Sequence, residues 1–267
     1  MKTRVAAIQM VSGPEVPGNL QAAERLIRAA AAAGARLVAL PENFYIIGRH
    51  ETDKVKAREA DGAGPIQEFL AGAARRERVW IVGGTAPISS QDPARIRSAC
   101  LLYDDTGKRV ARYDKMHLFR FDGRDERHDE ARTLEPGDAP VAVTTPFGRL
   151  ALSVCYDVRF PELYRGLGQF DAMFVPSAFT VPTGAAHWET LLRARAIENQ
   201  AYVVAPAQGG RHPTGRRTYG HSMIIDPWGE VLGLHAEGEG IVLAEMDLDR
   251  VSEVRAALPA NLNRRLK

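Results

Sequence analysis

Cysteine is scarce in this chain, with two among 267 residues, Cys100 and Cys155. That excludes a disulfide framework as the organising principle, and such usage fits a reducing cytoplasm. There is no excess of either charge. The chain carries 35 lysines and arginines against 33 aspartates and glutamates, a net charge of +2. So even a balance gives no reason to expect nucleic acid or a membrane surface as partner. No apolar run approaches the roughly 20 residues of a membrane span. The first apolar stretch is cut short by Gln9 and reads as a strand rather than a signal peptide. No Gly-x-Gly-x-x-Gly or Walker pattern occurs, so no nucleotide cofactor is expected. His187, Glu189, His212 and His221 do not form a His-Glu-x-x-His array, so no metal is expected either.

What the chain does have is a 45% hydrophobic and 25% charged composition, that of a soluble globular protein with a sizeable core. Its length suits one large α/β domain, and no linker-like stretch divides residues 1–267. Short buried strands alternate with amphipathic helices. A strand at 4–10 precedes a helix that Asn19 can cap and Gly34 can end, with Ala22, Leu26, Ala30 and Ala33 along one face. A strand at 36–42, a helix at 65–77 and a strand at 79–84 follow. Residues 99–103 and 109–113 flank Asp105-Thr106-Gly107, a hairpin signal.

The pattern then restarts. Segments 149–155, 171–177 and 202–206 parallel 4–10, 36–42 and 80–84, and a second hairpin is written at Asp226-Pro227-Trp228-Gly229. Two β-α-β halves related by a pseudo-twofold are expected, with their sheets packed on each other and helices outside. The loop 120–139 is the longest candidate for a mobile surface excursion.

Cys155 ends the apolar run Leu150-Ala151-Leu152-Ser153-Val154, which places its sulfur at the carboxyl rim of a sheet, where α/β folds bind ligands. Glu42 ends a strand in the first half, so packing the halves together can bring it to Cys155. A thiol with an ordinary pKa near about 8.5 needs help to react as thiolate. A glutamate can accept its proton, and a lysine such as Lys115 can stabilise charge developing on a carbonyl oxygen. Each residue also has an ordinary alternative. Cys155 can be a small buried apolar residue, Glu42 a helix cap, Lys115 a solvated lysine and Glu130 one charge in a charged loop. Cys100 reads as an inert core thiol. Arg159 and Glu162 read as braces for the turn after Cys155.

Leu40-Pro41-Glu42-Asn43-Phe44, Tyr113-Asp114-Lys115-Met116-His117-Leu118-Phe119 and Val154-Cys155-Tyr156-Asp157-Val158-Arg159-Phe160-Pro161-Glu162 occur in the order and spacing of the nitrilase superfamily of carbon–nitrogen hydrolases. The chain resembles that family nearly end to end. The resemblance implies a four-layer α-β-β-α sandwich that pairs into homodimers. It implies Cys155 as nucleophile, Glu42 as general base and Lys115 as the oxyanion-stabilising cation. It further implies Glu130 as the glutamate that positions the lysine, and the backbone N–H of Tyr156 as second oxyanion donor. In relatives the tail, here about 259–267, often reaches across the dimer.

Within the family, Ala207-Gln208-Gly209-Gly210-Arg211-His212, Tyr219-Gly220-His221-Ser222-Met223 and Asp226-Pro227-Trp228-Gly229 resemble the Nit branch, most of all its deaminated-glutathione amidases. The implied substrate is a small anionic amide, with Arg211 and His212 as candidate anion contacts and Phe179 and Thr180 as candidate linings of the acyl pocket. An ω-amidase acting on 2-oxoglutaramate, a nitrile hydrolase and an N-carbamoyl amidohydrolase would use the same triad. A non-catalytic interaction or redox-sensing module built on Cys155 is the reading from another class. The charged loop 120–128 departs from the stretch typical of eukaryotic members of the branch.

Overall fold

The computed structural model describes residues 1–123 and 127–265. Its centre is a pair of sheets, each built on three parallel strands. In the first, Lys2–Gln9, Leu37–Ala39 and Trp80–Val82 run parallel, flanked antiparallel by Gly240–Asp247 on one side and Ile96–Tyr103 on the other. In the second, Gly148–Leu152, Ala172–Phe174 and Tyr202–Ala205 run parallel, flanked antiparallel by Val141–Thr145 and Ser222–Ile225. The same five-strand plan appears twice, as the internal repeat requires. In each copy the functional turn follows the carboxyl end of a parallel strand.

Period-two alternation explains why the sheets stack. Along the first strand, Val5 and Ala7 join a core shared with the second sheet's Leu150, Leu152, Phe174 and Val204. Ala6 and Ile8 face the other way, into a cluster with Leu26, Ile27, Ile66 and Leu70. Those last four belong to the helices Val16–Ala32 and Pro65–Glu77, which cover the outer face of the first sheet. Trp188, Leu192 and Ala196 of the helix Val181–Asn199 join the core on the second sheet's side. The order is helix, sheet, sheet, helix, the expected four-layer sandwich. Cys100 lies in the shared core, and burial drives its thiol pKa far up.

Some local expectations are corrected. The first helix begins at Val16, with Pro17 in its first turn, so Asn19 lies inside it and is no cap. The Asn19 amide instead turns back, its Oδ1 accepting from Gly13 N at 2.7 Å and its Nδ2 donating to Tyr45 O at 2.8 Å. The buried stripe is accordingly Ala23, Leu26, Ile27 and Ala30 rather than one through Ala22 and Ala33. The loop after Lys115 is partly built: Arg120–Asp122 pairs antiparallel with Arg127–Asp129, and a 3-10 turn spans Glu130–Arg132. Residues 124–126 of that loop lie outside the described residues.

Candidate active site

Four chain segments converge at the strand ends. Glu42 follows the strand Leu37–Ala39, and its position depends on close backbone approach. Gly84 sits at φ +55°, where a Cβ would overlap the Pro41 carbonyl. The Asn43 N–H donates to Thr85 Oγ1 at 2.9 Å, and buried Gln208 donates from Nε2 to the Glu42 carbonyl at 3.2 Å. Lys115 follows the strand Arg109–Asp114. Its N–H donates to Ser98 O at 3.0 Å, and its carbonyl accepts from Gly137 N at 2.8 Å.

The Lys115 side chain is completely buried, and its ammonium is clasped between two carboxylates. Nζ donates to Glu42 Oε1 at 2.8 Å and to Glu130 Oε1 and Oε2 at 2.9 and 2.7 Å. Glu130 is fixed in turn, its Oε2 accepting from Phe119 N at 2.7 Å. Burial works to lower the Lys115 pKa, but the charges of Glu130, Glu42 and Cys155 outweigh it and raise it well above 10.5. Burial likewise works to raise Glu130, while Lys115, Lys54 and the Phe119 N–H hold it below 4.5. The ammonium is therefore permanent across the working pH range and aimed by its two acids.

Cys155 starts a 3-10 turn at φ +51°, a strained left-handed position for a residue with a side chain. Its N–H donates to Pro176 O at 2.9 Å. Burial pushes its thiol pKa well above 9, Glu42 adds to the rise, and Lys115 and the Ala178 N–H oppose it. Burial and the Glu42 charge thus favour the neutral thiol, and the Lys115 charge favours the thiolate.

Asp157 is the residue that sequence reasoning missed. Fully buried, it accepts from Tyr113 OH at 2.7 Å and Val154 N at 2.8 Å through Oδ2. Through Oδ1 it accepts from His117 N at 3.1 Å and contacts His117 Nδ1 at 2.7 Å. One carboxylate thus ties the Lys115 segment to the Cys155 turn. The signal was its place two residues after the thiol, where an acid reads equally well as part of a polar turn. Asp157→Ala leaves these donors without an acceptor in the interior. It is expected to cost about 3–5 kcal/mol of stability, read as a lower urea midpoint.

A narrow slot beside Cys155 is lined by Phe119, Tyr156, Arg159, Phe179, Thr180 and Thr183. The expected pair Phe179 and Thr180 is therefore brought to the thiol. Arg159, expected only to brace the turn, also lines the slot, its guanidinium 5.6 Å from the Tyr156 ring centroid and 5.4 Å from that of Phe179.

Arg211 and His212 line neither this slot nor the wider cavity walled by Asn43, Arg49 and Arg216. Arg211 is exposed on a strand paired with Arg217. His212 is buried, with Nδ1 2.8 Å from Ser12 O and Nε2 2.7 Å from Thr218 Oγ1. Burial lowers its pKa from 6.5 to about 4. A histidine depressed in the fold contributes stability that is complete above pH 6.5 and is lost as pH falls toward 4. The loss is expected to reach about 3 kcal/mol, and His212→Asn should flatten that part of the stability–pH curve.

Among the described residues, no group of three or more His, Cys, Asp or Glu side chains is placed to hold a metal ion. No described helix is long and apolar enough to cross a membrane.

A thiol at a strained strand-end turn and a carboxylate–ammonium–carboxylate array thus stand together at the strand ends of a two-sheet sandwich. The chain belongs to the carbon–nitrogen hydrolase family, which it matches over residues 4–256. It is 45% identical over 261 residues to a deaminated glutathione amidase of Synechocystis sp., covering 96% of this chain and 95% of that one. The structure of Saccharomyces cerevisiae Nit3, a member of branch 10 of the nitrilase superfamily, superposes with a TM-score of 0.88 at 31% identity, covering 99% of this chain and 97% of that one. The Caenorhabditis elegans NitFhit protein superposes with a TM-score of 0.88 at 38% identity; it covers 99% of this chain, which spans 65% of the fusion's length.

Proposed function

We propose that this protein is a cysteine-dependent amidase that cleaves a small anionic amide through a thioester, with deaminated glutathione as its substrate. The observation that carries the reading is the buried Lys115 ammonium held between Glu42 and Glu130, acting on the Cys155 thiol. As Cys155 Sγ attacks the amide carbon, its proton passes to the Glu42 carboxylate. The carbonyl oxygen becomes an oxyanion between Lys115 Nζ and the Tyr156 N–H. When the C–N bond breaks, Glu42 returns the proton to the departing amine. Glu42 then takes a proton from water, whose oxygen attacks the thioester and releases the acid, and Glu42 returns that proton to the departing sulfur to restore the thiol. Glu130 is a positioning residue, holding the ammonium without touching the reacting atoms. A neutral resting thiol suits this route, because the proton leaves only as the sulfur attacks.

The slot supports the substrate side of the reading. Phe179 and Thr180 flank a narrow space for a flat acyl chain, and Arg159 offers a guanidinium to its carboxylate. The named relative supplies the substrate itself, whose γ-amide joins a 2-oxoglutaryl group to cysteinylglycine. The test is steady-state kinetics on deaminated glutathione, 2-oxoglutaramate, a nitrile and an N-carbamoyl compound. A kcat/KM at least about tenfold higher for deaminated glutathione is expected. Preference for any other compound overturns the substrate, and no turnover of any overturns the amidase.

The same reading includes one catalytic domain over residues 1–267, a cytoplasmic setting that suits two free cysteines, and a homodimer. Exposed Ile197 and Trp228 support pairing. The tail reaches back to its own subunit, Asn261 accepting from Arg165 at 2.7 Å and donating to Asn199 O at 3.1 Å. If it also contacts the partner, truncation at Pro259 weakens dimer affinity; an unchanged dimerisation constant refutes that role.

A further inference from the structure

A second cavity of about 180 Å³ lies on the segment that follows Glu42. Its wall includes Asn43, the residue after Glu42, together with Arg49, Glu51, Lys54, Thr214 and Arg216. Three permanent cations face one carboxylate there. That carboxylate is already engaged, since Glu51 lies 3.0 Å from Lys54 Nζ. Burial works to raise Glu51, yet Lys54, Arg216 and His128 hold its pKa below 4.5. Among the described residues, neither the Arg49 nor the Arg216 guanidinium lies within ion-pair distance of a carboxylate. Thr214 Oγ1 is buried in the same wall with no hydrogen-bond partner. Two guanidiniums with no ion pair among the described residues, and an unsatisfied hydroxyl, around one hollow make a receptor for a small carboxylate.

Its place relative to the chemistry says which carboxylate. On the amidase reading the acyl group takes the slot beside Cys155 that Tyr156, Arg159 and Phe179 line. The amine departs toward the group that protonates it, Glu42, and the chain leads directly from Glu42 into this cavity through Asn43. We propose that the cavity is the leaving-group subsite, in which Arg216 and Arg49 bind the terminal carboxylate of a peptide-like amine. This rests on the amidase reading above and deepens it. The enzyme grips an anionic amide at both ends, with Arg159 on the acyl carboxylate and Arg216 on the amine's carboxylate. A simple ω-amide releases ammonia and leaves the cavity unused.

The test measures binding to the Cys155→Ala protein by calorimetry, comparing deaminated glutathione with its C-terminal carboxamide. The free acid is expected to bind at least about tenfold more tightly. Arg216→Gln should reduce that ratio below about threefold while leaving the carboxamide's affinity unchanged, and Arg216→Lys should keep part of it. In otherwise native protein, Arg216→Gln should leave kcat/KM on 2-oxoglutaramate within about twofold. Equal affinity for acid and carboxamide, or equal losses for both on Arg216→Gln, overturns the subsite. A preserved acid preference in a protein that does not hydrolyse deaminated glutathione would sink the substrate assignment and leave the subsite standing.

Discussion

Cys155→Ala is expected to lower kcat by about 10⁵-fold or more on every amide the protein hydrolyses, while the folded structure persists. On the proposed mechanism the nucleophile is the one group whose loss no neighbour can replace. Lys115 and the Tyr156 N–H would still hold a carbonyl oxygen, but nothing would form the covalent bond. Alanine keeps the space filled at a site where the thiol is 7% exposed, so stability should change by only about 1 kcal/mol. Cys155→Ser separates geometry from chemistry. Its hydroxyl is a far weaker acid, so Glu42 cannot strip its proton as readily, and activity should again collapse although the shape survives. The check is kcat and a urea midpoint on the same preparations. Turnover unchanged in Cys155→Ala would remove the nucleophile from the account.

Lys115→Met has the second largest expected effect, and it acts on both activity and stability. If Lys115 is the oxyanion donor that the proposed mechanism makes it, its loss costs about 10²–10³ in kcat. The same change leaves Glu42 and Glu130 close together, with Glu42 3% exposed and no cation between them. Breaking a buried pair in this way is expected to cost about 3–5 kcal/mol at pH 7. The pH dependence follows from the direction of the shifts. Glu130, depressed in the fold, contributes stability that is present above pH 4.5 and lost as pH falls below it. Lys115, raised in the fold, contributes stability that is present below pH 10.5 and lost as pH rises beyond it. The deficit of Lys115→Met should therefore be widest between those limits and shrink in acid, where protonation neutralises Glu130. Denaturant unfolding at pH 7 and pH 4 reads the acid arm, and a deficit that grows in acid would contradict this origin.

The architecture could be read largely from alternation and repetition. Strand ends at Leu40-Pro41 and Val175-Pro176, hairpins around Gly107 and Gly229, and the restart near residue 149 are all local signals. The edge of the first sheet was not legible, because Gly240–Asp247 pairs with Lys2–Gln9 across almost the whole chain. Pairing at that separation leaves no mark in either segment alone. Helix boundaries failed where two signals competed. Asn19 is a good cap by type, but Pro17 had already opened the helix, and the Asn19 amide was needed to hold Gly13 and Tyr45.

At the site, residue type names the candidates, while burial and direction decide where each side chain lies. His212 and Arg159 show the difference. One looked like an anion contact and is locked inside between Ser12 and Thr218; the other looked like a brace and lines the slot beside the thiol. Nothing in one-dimensional spacing tells which way a side chain turns from a loop.

The thioester is tested most directly by adding hydroxylamine to enzyme turning over deaminated glutathione or 2-oxoglutaramate, and measuring the ratio of hydroxamate to free acid. Both amides carry the same 2-oxoglutaryl group and differ only in the amine they release. If each passes through one acyl group on Cys155, the two ratios are equal at a given hydroxylamine concentration. Ratios that depend on the departing amine, or hydrolysis with no hydroxamate at all, would show that water attacks the amide directly and that the cysteine is not acylated.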